Sequence, residues 1–267
     1  MEKKRILLTG ASGFVGHRLM EMEHTMIAAP SLRDKTEGDI RRIVEESGAE
    51  AIIHTAAISD IGTCEKDPDA SYHANVELPL YLARAAGERK LIAFSSDQVY
   101  GGCKEEGPYR EDMVCPANTY AGQKLEMEQR VLEILPDAVM LRAEWMYDHY
   151  LKRPNYLMNI LNAGDEVMFS SNQYRGITYL KEVLENMEQV LNLPGGAYNF
   201  GSMTTKSMYE ITQKFLQFLG KDIRLSDAPA RHNLWMDCTK AGKYGVQFSS
   251  VEDGLKRCAE DYGLVKK

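Results

Sequence analysis

The chain has 267 residues, of which 44% are hydrophobic and 27% charged, and its formal net charge is −7 at pH 7. This composition is typical of a globular protein with a full core, and the acidic balance argues against nucleic acid or an anionic membrane as the main partner. The cysteines are odd in number, without a CxxC pair or zinc-ligand spacing, and no apolar run is long enough for a spanning helix. We therefore expect free thiols in a reducing cytoplasm and no metal site.

The first half of the chain alternates short apolar runs with longer amphipathic ones. The apolar runs predict strands at Arg5–Thr9, Thr25–Ala29, Ala51–Thr55, Lys90–Ser95 and Ala138–Arg142. The amphipathic runs predict helices at Phe14–Met22, Asp39–Ser47, Asp69–Gly87 and Thr119–Leu135. Because strands and helices alternate and the strands are apolar on both faces, we predict an α/β fold with a Rossmann-type doubly wound parallel sheet.

The rhythm of the sequence loosens after about residue 148. Helices are predicted at Asn155–Ala163, Tyr179–Leu193 and Ser207–Leu219, separated by turn-rich stretches such as PGGAYNFGS, residues 194–202. We predict a doubly wound domain over residues 1–148. Residues 149–267 are predicted to form mainly a smaller substrate-binding region at the carboxyl edge of the sheet, with some segments returning to the first domain.

The sequence TGASGFVG follows the first predicted strand and opens the first predicted helix. Its spaced glycines permit a tight turn, and they allow a pyrophosphate to approach the free amides at the start of a helix. In this context the loop predicts dinucleotide binding, and the alternative is a tight strand–helix turn without a ligand. The predicted cofactor-binding residues of the loop are Gly10, Ser12, Gly13, Phe14, Val15 and Gly16.

The end of the second predicted strand bears on which dinucleotide is bound. An acidic residue about 20 positions after the glycine loop normally holds the ribose of NAD. No Asp or Glu stands at this strand end, whereas Ser31 and Arg33 could accept the 2′-phosphate of NADP. We therefore predict NADP or NAD, with a mild preference for NADP. The alternative is that Arg33 is a surface charge, since Asp34 lies beside it.

A hydroxyl, a phenol and an ammonium group lie in the segments that follow. Ser96 stands at the carboxyl end of the fourth predicted strand, and parallel sheets bind their ligands at this end of the strands. Tyr120 and Lys124 are four residues apart and share one face of a helix. The alternatives are a turn serine bonded to its own backbone and a solvated helix face.

These segments resemble the extended short-chain dehydrogenase/reductase family and, within it, the dTDP-4-dehydrorhamnose reductase subfamily. The similar stretches in the first half are TGASGFVG (9–16), HTAA (54–57), HANVELPLYLARAA (73–86), FSSDQVYGG (94–102) and PANTYAGQK (116–124). Those in the second half are LRAEWMY (141–147), SNQYRGITYL (171–180) and APARHNLWMDCTK (228–240).

The resemblance implies a role for each matching residue of the first half. Tyr120 would donate a proton to a sugar carbonyl, and Ser96 would polarise that carbonyl. Lys124 would hold the nicotinamide ribose and lower the pKa of Tyr120. Ala56 and Ala57 would line the cofactor.

The resemblance also implies contacts with the substrate. These would come from Asp97, Trp145 and Arg231, and Asn75 would support the site from the start of a helix. Trp145 could instead be a core residue, Arg231 a solvated charge and Asn75 an ordinary helix-start residue.

The implied function is NAD(P)-dependent reduction of a 4-keto sugar nucleotide, with hydride from the nicotinamide and a proton from Tyr120. The alternatives are a sugar-nucleotide epimerase or dehydratase on the same scaffold, and a non-catalytic NAD(P)-binding regulatory subunit. A dehydratase of this family would place Asp and then Glu after the hydroxyl residue, whereas Asp97 is followed here by Gln98. A homodimer is one expected assembly.

Overall fold

The computed structural model describes residues 3–229 and 232–265. Its strands are β1 (Arg5–Thr9), β2 (Thr25–Ala28), β3 (Ala51–His54), β4 (Lys90–Ser96), β5 (Val139–Ala143), β6 (Trp145–Tyr147), β7 (Glu166–Phe169), β8 (Ile177–Tyr179), β9 (Gly196–Phe200) and β10 (Arg224–Asp227). Its helices are α1 (Phe14–Leu19), α2 (Glu37–Ser47), α3 (Ile61–Lys66), α4 (Pro68–Tyr72), α5 (Leu78–Ala86), α6 (Thr119–Ile134), α7 (Tyr156–Leu161), α8 (Leu180–Leu191), α9 (Met208–Leu219), α10 (Thr239–Gly242) and α11 (Val251–Asp261). A π-helical stretch (His73–Glu77) joins α4 to α5, and a 3-10 turn (Asp97–Tyr100) follows β4.

The central sheet has six strands in the order β2-β1-β3-β4-β5-β9. β1 pairs in parallel with both β2 and β3, so that Leu7 lies opposite Ile27 on one side and Ile52 on the other. β3 also pairs in parallel with β4. Because the order reverses direction after β1, the sheet is doubly wound, and the predicted α/β fold class is confirmed.

The five strands predicted in the first half all form, with ends within one residue of the prediction. The prediction of a turn-rich stretch at residues 194–202 is wrong, because Gly196–Phe200 form β9 at one edge of the central sheet. Gly196 N donates to Ala138 O at 2.8 Å. A Cβ on Gly195 would lie 1.9 Å from Pro136 O, so the glycines permit close backbone approach rather than a reversal of the chain.

The long helix predicted over residues 69–87 is interrupted by the π-helical stretch His73–Glu77. Pro79 is the second residue of α5 and has no N–H group to donate to the preceding turn. The interruption widens the helix at Asn75, whose side chain is fully buried.

The chain forms two compact units that interleave along the sequence. The first unit comprises Met1–Val99, Pro116–Arg142 and Met187–Tyr198. The second comprises Tyr100–Cys115, Ala143–Asn186 and Asn199–Lys267. The predicted boundary after residue 148, with some later segments returning to the first domain, stays a prediction; of the later segments, Met187–Tyr198 belong to the first unit.

Each unit has its own hydrophobic core. In the first unit, β1, β3 and β4 pack with α2, α5 and α6 through buried aliphatic side chains such as Leu7, Val44 and Leu91. The core of the second unit is aromatic in part, with Tyr156 and Phe215 fully or nearly buried. In the described part of the chain, every helix is too short or too polar to cross a lipid bilayer.

Candidate active site

The glycine loop folds back tightly between β1 and α1. Gly10 has φ +73°, a conformation that favours glycine, and a Cβ there would lie 2.8 Å from Ala56 N. A Cβ on Gly16 would lie 2.1 Å from Gly10 O, and Gly13 N donates to the same oxygen at 2.8 Å. The three glycines therefore serve a loop in which any side chain would displace backbone.

A groove of about 810 Å³ opens beside this loop in the first unit. Of the predicted cofactor residues, its lining includes Gly10, Ser12, Arg33, Ala56 and Ala57. The lining residues come from the ends of β1 and β2, from the chain after β3 and from α4 with the π-helical stretch. The other predicted residues of the loop, Gly13, Phe14, Val15 and Gly16, form the cap and first turn of α1.

The groove and its loop fit a dinucleotide. Pockets for small molecules and cofactors have volumes of about 300–1,000 Å³, and this groove falls in that range. Alanine, glycine and serine dominate the wall nearest the loop, which leaves backbone accessible. The loop after β2 presents Ser31 and Arg33, both exposed, and Asp34 beside them also lines the groove.

The predicted catalytic side chains lie together in the first unit. Ser96 ends β4, and its side chain forms a hydrogen bond with Tyr120 on α6. Lys124 follows one helical turn later and is 1% exposed, whereas Tyr120 is 7% and Ser96 8% exposed. Asn118 caps the helix by accepting from Ala121 N at 2.9 Å, which fixes where the catalytic turn begins.

Burial is the main influence on the pKa of Tyr120. Desolvation raises the pKa of this phenol well above its ordinary value, while the hydrogen bond from Ser96 opposes the rise and the charge of Asp97 adds to it. In the protein alone burial outweighs the contact with Ser96, and the expectation that Lys124 lowers the pKa of Tyr120 stays a prediction. Asp97, predicted to contact substrate, accepts from Ser96 Oγ at 3.2 Å.

Lys124 has a lowered pKa for the same reason. Burial lowers it to about 8, and the Glu128 carboxylate one turn further along α6 opposes that fall. His54, at the end of β3, has its pKa lowered to about 3 by burial and by the charge of Lys124. His54 Nδ1 lies 2.7 Å from Thr9 Oγ1, so a neutral imidazole joins the ends of β1 and β3.

A buried ion pair supports the catalytic helix from behind. Arg142 on β5 contacts Glu128 on α6, with Nη2 to Oε2 at 2.7 Å and Nε to both carboxylate oxygens. Ser95 also donates to Glu128 through a short hydrogen bond. Sequence reasoning missed this pair. The available signals were the position of Glu128 on the helix face of Tyr120 and Lys124, and an Arg in an otherwise apolar strand.

Asn75 is tied to the same helix. Its side chain accepts from Ile58 N and donates to Ile58 O, both at 2.9 Å, and it also donates to Gln123 Oε1 at 2.9 Å. Gln123 in turn donates to Ser71 Oγ at 2.9 Å. Asn75 thus connects the chain after β3, which lines the groove, with α6. It is more than a helix-start residue.

The remaining predicted substrate residues belong to the second unit or lie outside the description. Trp145 on β6 packs edge-on against Tyr156 with ring centroids 6.0 Å apart. The Arg175 guanidinium lies 5.4 Å from the centroid of the Trp145 ring, which is a cation–π contact. Arg231 lies outside the described residues, and the substrate roles of both Trp145 and Arg231 stay predictions.

The fold and these side chains define a doubly wound α/β protein with a glycine-lined groove and a Ser–Tyr–Lys set at its sheet edge. A family model described as the RmlD substrate binding domain matches residues 4–245, and the chain belongs to this family.

Known proteins similar to this chain agree with that family. The dTDP-4-dehydrorhamnose reductase of Mycolicibacterium smegmatis is 35% identical over 153 residues, a match that covers 54% of this chain and 46% of that protein. The methionine adenosyltransferase 2 subunit beta of Xenopus laevis is 28% identical over 281 residues, covering 91% of this chain and 83% of that protein.

A solved structure extends the likeness to the whole fold. The dTDP-4-dehydrorhamnose reductase of Bacillus anthracis, crystallised in complex with NADP, superimposes with a TM-score of 0.86 at 22% identity. The superposition covers 97% of this chain and 100% of that one. The predicted resemblance to the dTDP-4-dehydrorhamnose reductases is thereby confirmed at the level of family and fold.

Proposed function

We propose that the protein is an extended-type short-chain dehydrogenase/reductase that reduces the 4-keto group of a sugar nucleotide with NADPH. The observation that carries the proposal is the buried set of Ser96, Tyr120 and Lys124 in the same unit as the glycine-lined groove. The family match and the named reductases among its relatives support the reaction class.

The proton donor in this mechanism is Tyr120. Its raised pKa keeps the phenol protonated through the neutral range, so the O–H is available to a carbonyl oxygen that becomes an alkoxide. Ser96 has one hydroxyl proton, and turning it from its present partners to the substrate oxygen would stabilise the developing charge.

Lys124 stabilises the Tyr120 phenolate that remains after the proton transfer. With a pKa of about 8 it is charged at neutral pH, and an ammonium group one turn away favours the phenolate form of Tyr120. A bound NADPH would supply the hydride, and Gly10, Ser12 and Ala56 would hold it.

The proposal is tested by following NADPH oxidation with a panel of 4-keto sugar nucleotides, including dTDP-4-dehydrorhamnose. Tyr120→Phe keeps the ring and removes the proton, so it should leave NADPH affinity nearly unchanged while turnover falls by about a hundredfold or more. Tyr244→Phe, at an exposed tyrosine, is the matched control and should retain turnover. Near-normal turnover by Tyr120→Phe would assign the proton to another group.

A second candidate is a regulatory subunit that binds NADP(H) without turnover. It is favoured by the match to a relative named as a subunit of a methionine adenosyltransferase, which covers 91% of this chain. NADPH binding with no oxidation by any 4-keto sugar nucleotide in the panel would support this candidate. The intact catalytic set argues for the reductase. The sugar-nucleotide substrate, a homodimer and a cytoplasmic location remain predictions.

A further inference from the structure

Two cysteines lie in the connection between β4 and α6, which runs from residue 97 to residue 118. Cys115 is exposed and Cys103 is partly exposed, whereas Cys64, Cys238 and Cys258 are buried. Thiol–disulfide exchange requires an oxidant to reach the sulfur atom, so access favours Cys103 and Cys115 over the other three. Both of these residues belong to the second unit.

The fold brings the two cysteines side by side. Gly102 N donates a hydrogen bond to Cys115 O at 2.7 Å. The Cys103 thiol donates to Met113 O at 2.9 Å, so its side chain faces the backbone of residues 113–115. Burial raises the pKa of the Cys103 thiol, and the charge of the nearby Cys115 adds to that rise. The two residues are therefore neighbours across one backbone hydrogen bond, a placement from which a disulfide can form.

Contacts inside the connection hold its shape without a covalent bond. Tyr109 N donates to Trp235 O at 2.7 Å, and Asp237 N donates to Tyr109 O at 2.9 Å. The Tyr109 ring stacks on Tyr100 with centroids 5.2 Å apart, and its hydroxyl donates to Glu105 O at 2.6 Å. Because the ends of this packed stretch already meet, closing it into a ring costs little chain entropy, and each thiol is concentrated at the other.

We propose that Cys103 and Cys115 form a reversible disulfide by exchange with a low-molecular-weight disulfide such as glutathione disulfide. The bond closes residues 103–115 into a covalent ring within the connection between Ser96 and Tyr120. This modification goes beyond the proposed function and is independent of it, because the exchange needs neither cofactor nor substrate.

The exchange proceeds in two steps. The exposed Cys115, as a thiolate, attacks one sulfur of glutathione disulfide, forms a mixed disulfide and releases one glutathione. Cys103, whose raised pKa makes it the slower first nucleophile, then loses its proton and attacks the Cys115 sulfur, which releases the second glutathione. The two protein thiols lose two protons and two electrons, and one glutathione disulfide gains them as two glutathione molecules.

Intact mass and peptide mapping test the proposal. The folded protein is incubated with excess glutathione disulfide at about pH 8, close to the ordinary pKa of a thiol, and is then quenched and alkylated. Its mass should fall by two hydrogens, with no glutathione attached. Trypsin cuts after Lys104 and Arg110, so the bond should join the peptides Leu91–Lys104 and Glu111–Lys124. Dithiothreitol should separate them again.

Variants assign the two steps to the two sulfur atoms. Cys103→Ser should stop at the mixed disulfide and retain one glutathione on Cys115. Cys115→Ser should acquire less glutathione in the same time, because Cys103 is the less exposed residue. Cys258→Ala, at a fully buried cysteine of α11, is the matched control and should form the ring like the wild-type protein.

Two further measurements separate the folded geometry from chance pairing. In the folded protein the bond should join Cys103 to Cys115 alone, whereas in denaturing urea the buried cysteines become accessible and should enter disulfides as well. Amide hydrogen exchange of residues 104–114 should slow in the oxidised wild-type protein. It should not slow in Cys103→Ser that carries glutathione on Cys115.

A glutathione that persists on Cys115 of the wild-type protein would overturn the proposal, because Cys103 would then be out of reach. Pairing that forms in urea and not in the folded protein would overturn it as well. Should Cys103→Ser fail to fold, the wild-type mass and peptide map decide the question. NADPH oxidation plays no part in these measurements, so failure of the disulfide and failure of the proposed function are separate results.

Discussion

The ion pair between Glu128 and Arg142 makes a demanding prediction about stability. The two side chains are 3% and 5% exposed and share a bidentate contact. Replacing Glu128 by Met leaves a buried guanidinium without its carboxylate, and removing one partner of a buried pair costs about 3–5 kcal/mol. Since domains are stable by about 5–15 kcal/mol, the single variant should lose a third or more of its free energy of unfolding.

Replacing both partners by Met should be far less harmful than either single change. Well-packed apolar residues often substitute for a buried ion pair at little cost, because the desolvation of both charges is removed together. Urea unfolding of the two single variants and the double variant, analysed as a double-mutant cycle, should give a coupling free energy of about 2 kcal/mol or more. Arg224→Met is the matched control. Its contact with Glu166 has nearly the same length, 2.8 Å, but the Arg224 side chain is 73% exposed, so little stability should be lost.

Glu128→Met should also change the pH dependence of turnover. The Glu128 charge opposes the fall in the pKa of Lys124, so Glu128→Met should lower that pKa below about 8. The alkaline limb of the pH–rate profile should then move to lower pH. The ion-pair reasoning would be refuted if Glu128→Met lost no more free energy of unfolding than Arg224→Met. It would also be refuted if the double variant lost as much as the two single variants together.

Three further outcomes are expected. Gly122 lies inside α6, and an added Cβ meets nothing within 4 Å, so Gly122→Ala should stabilise the protein by about 0.5–1 kcal/mol in urea unfolding; a loss would reveal an unseen contact. Turnover should decline as the pH rises through about 8, where Lys124 loses its proton, and Lys124→Arg, whose guanidinium keeps its charge, should remove this decline from the pH–rate profile. Incubation with dTDP-glucose should yield no 4-keto-6-deoxy product, because the amide of Gln98 cannot act as a general base; clear product would contradict the assignment as a reductase.

The parts of the fold that could be predicted are those whose signals are local. A short apolar run such as Ile6–Leu8 predicts a buried strand, and the spaced glycines that follow it predict a tight turn. β9 escaped prediction because Asn199 interrupts its apolar pattern and glycines precede it. The strand geometry of β9 depends on its pairing within the sheet. The buried side chain of Asn199 is satisfied because it donates to Tyr109 O at 2.9 Å and to Asp237 O at 3.0 Å.

The candidate site also combines features that local sequence predicts with features that only the packed structure shows. Tyr120 and Lys124 are one helical turn apart, so their shared face follows from helix geometry alone. The contact between His73 and the Arg33 backbone spans 40 residues, and no periodicity in the sequence encodes it. His73 begins the π-helical stretch, where the helical period changes. The sign of the Tyr120 pKa shift likewise depends on burial, which only the packed structure supplies.

That sign bears on the free-energy cost of the proton transfer. A phenol whose pKa is lowered toward neutrality is equally available as acid and base, which suits an enzyme that passes a proton both ways. Burial here raises the pKa of Tyr120 and holds it in the acid form, while burial of Lys124 brings its pKa to about 8. Proton transfer from Tyr120 to an alkoxide creates a phenolate beside that ammonium, so the charge pair forms only after the transfer. Burial opposes formation of this phenolate whether the phenol donates to an alkoxide or ionises before an oxidation, so the desolvation cost applies to both directions of the reaction. The Lys124 ammonium, one helical turn away, lowers that cost.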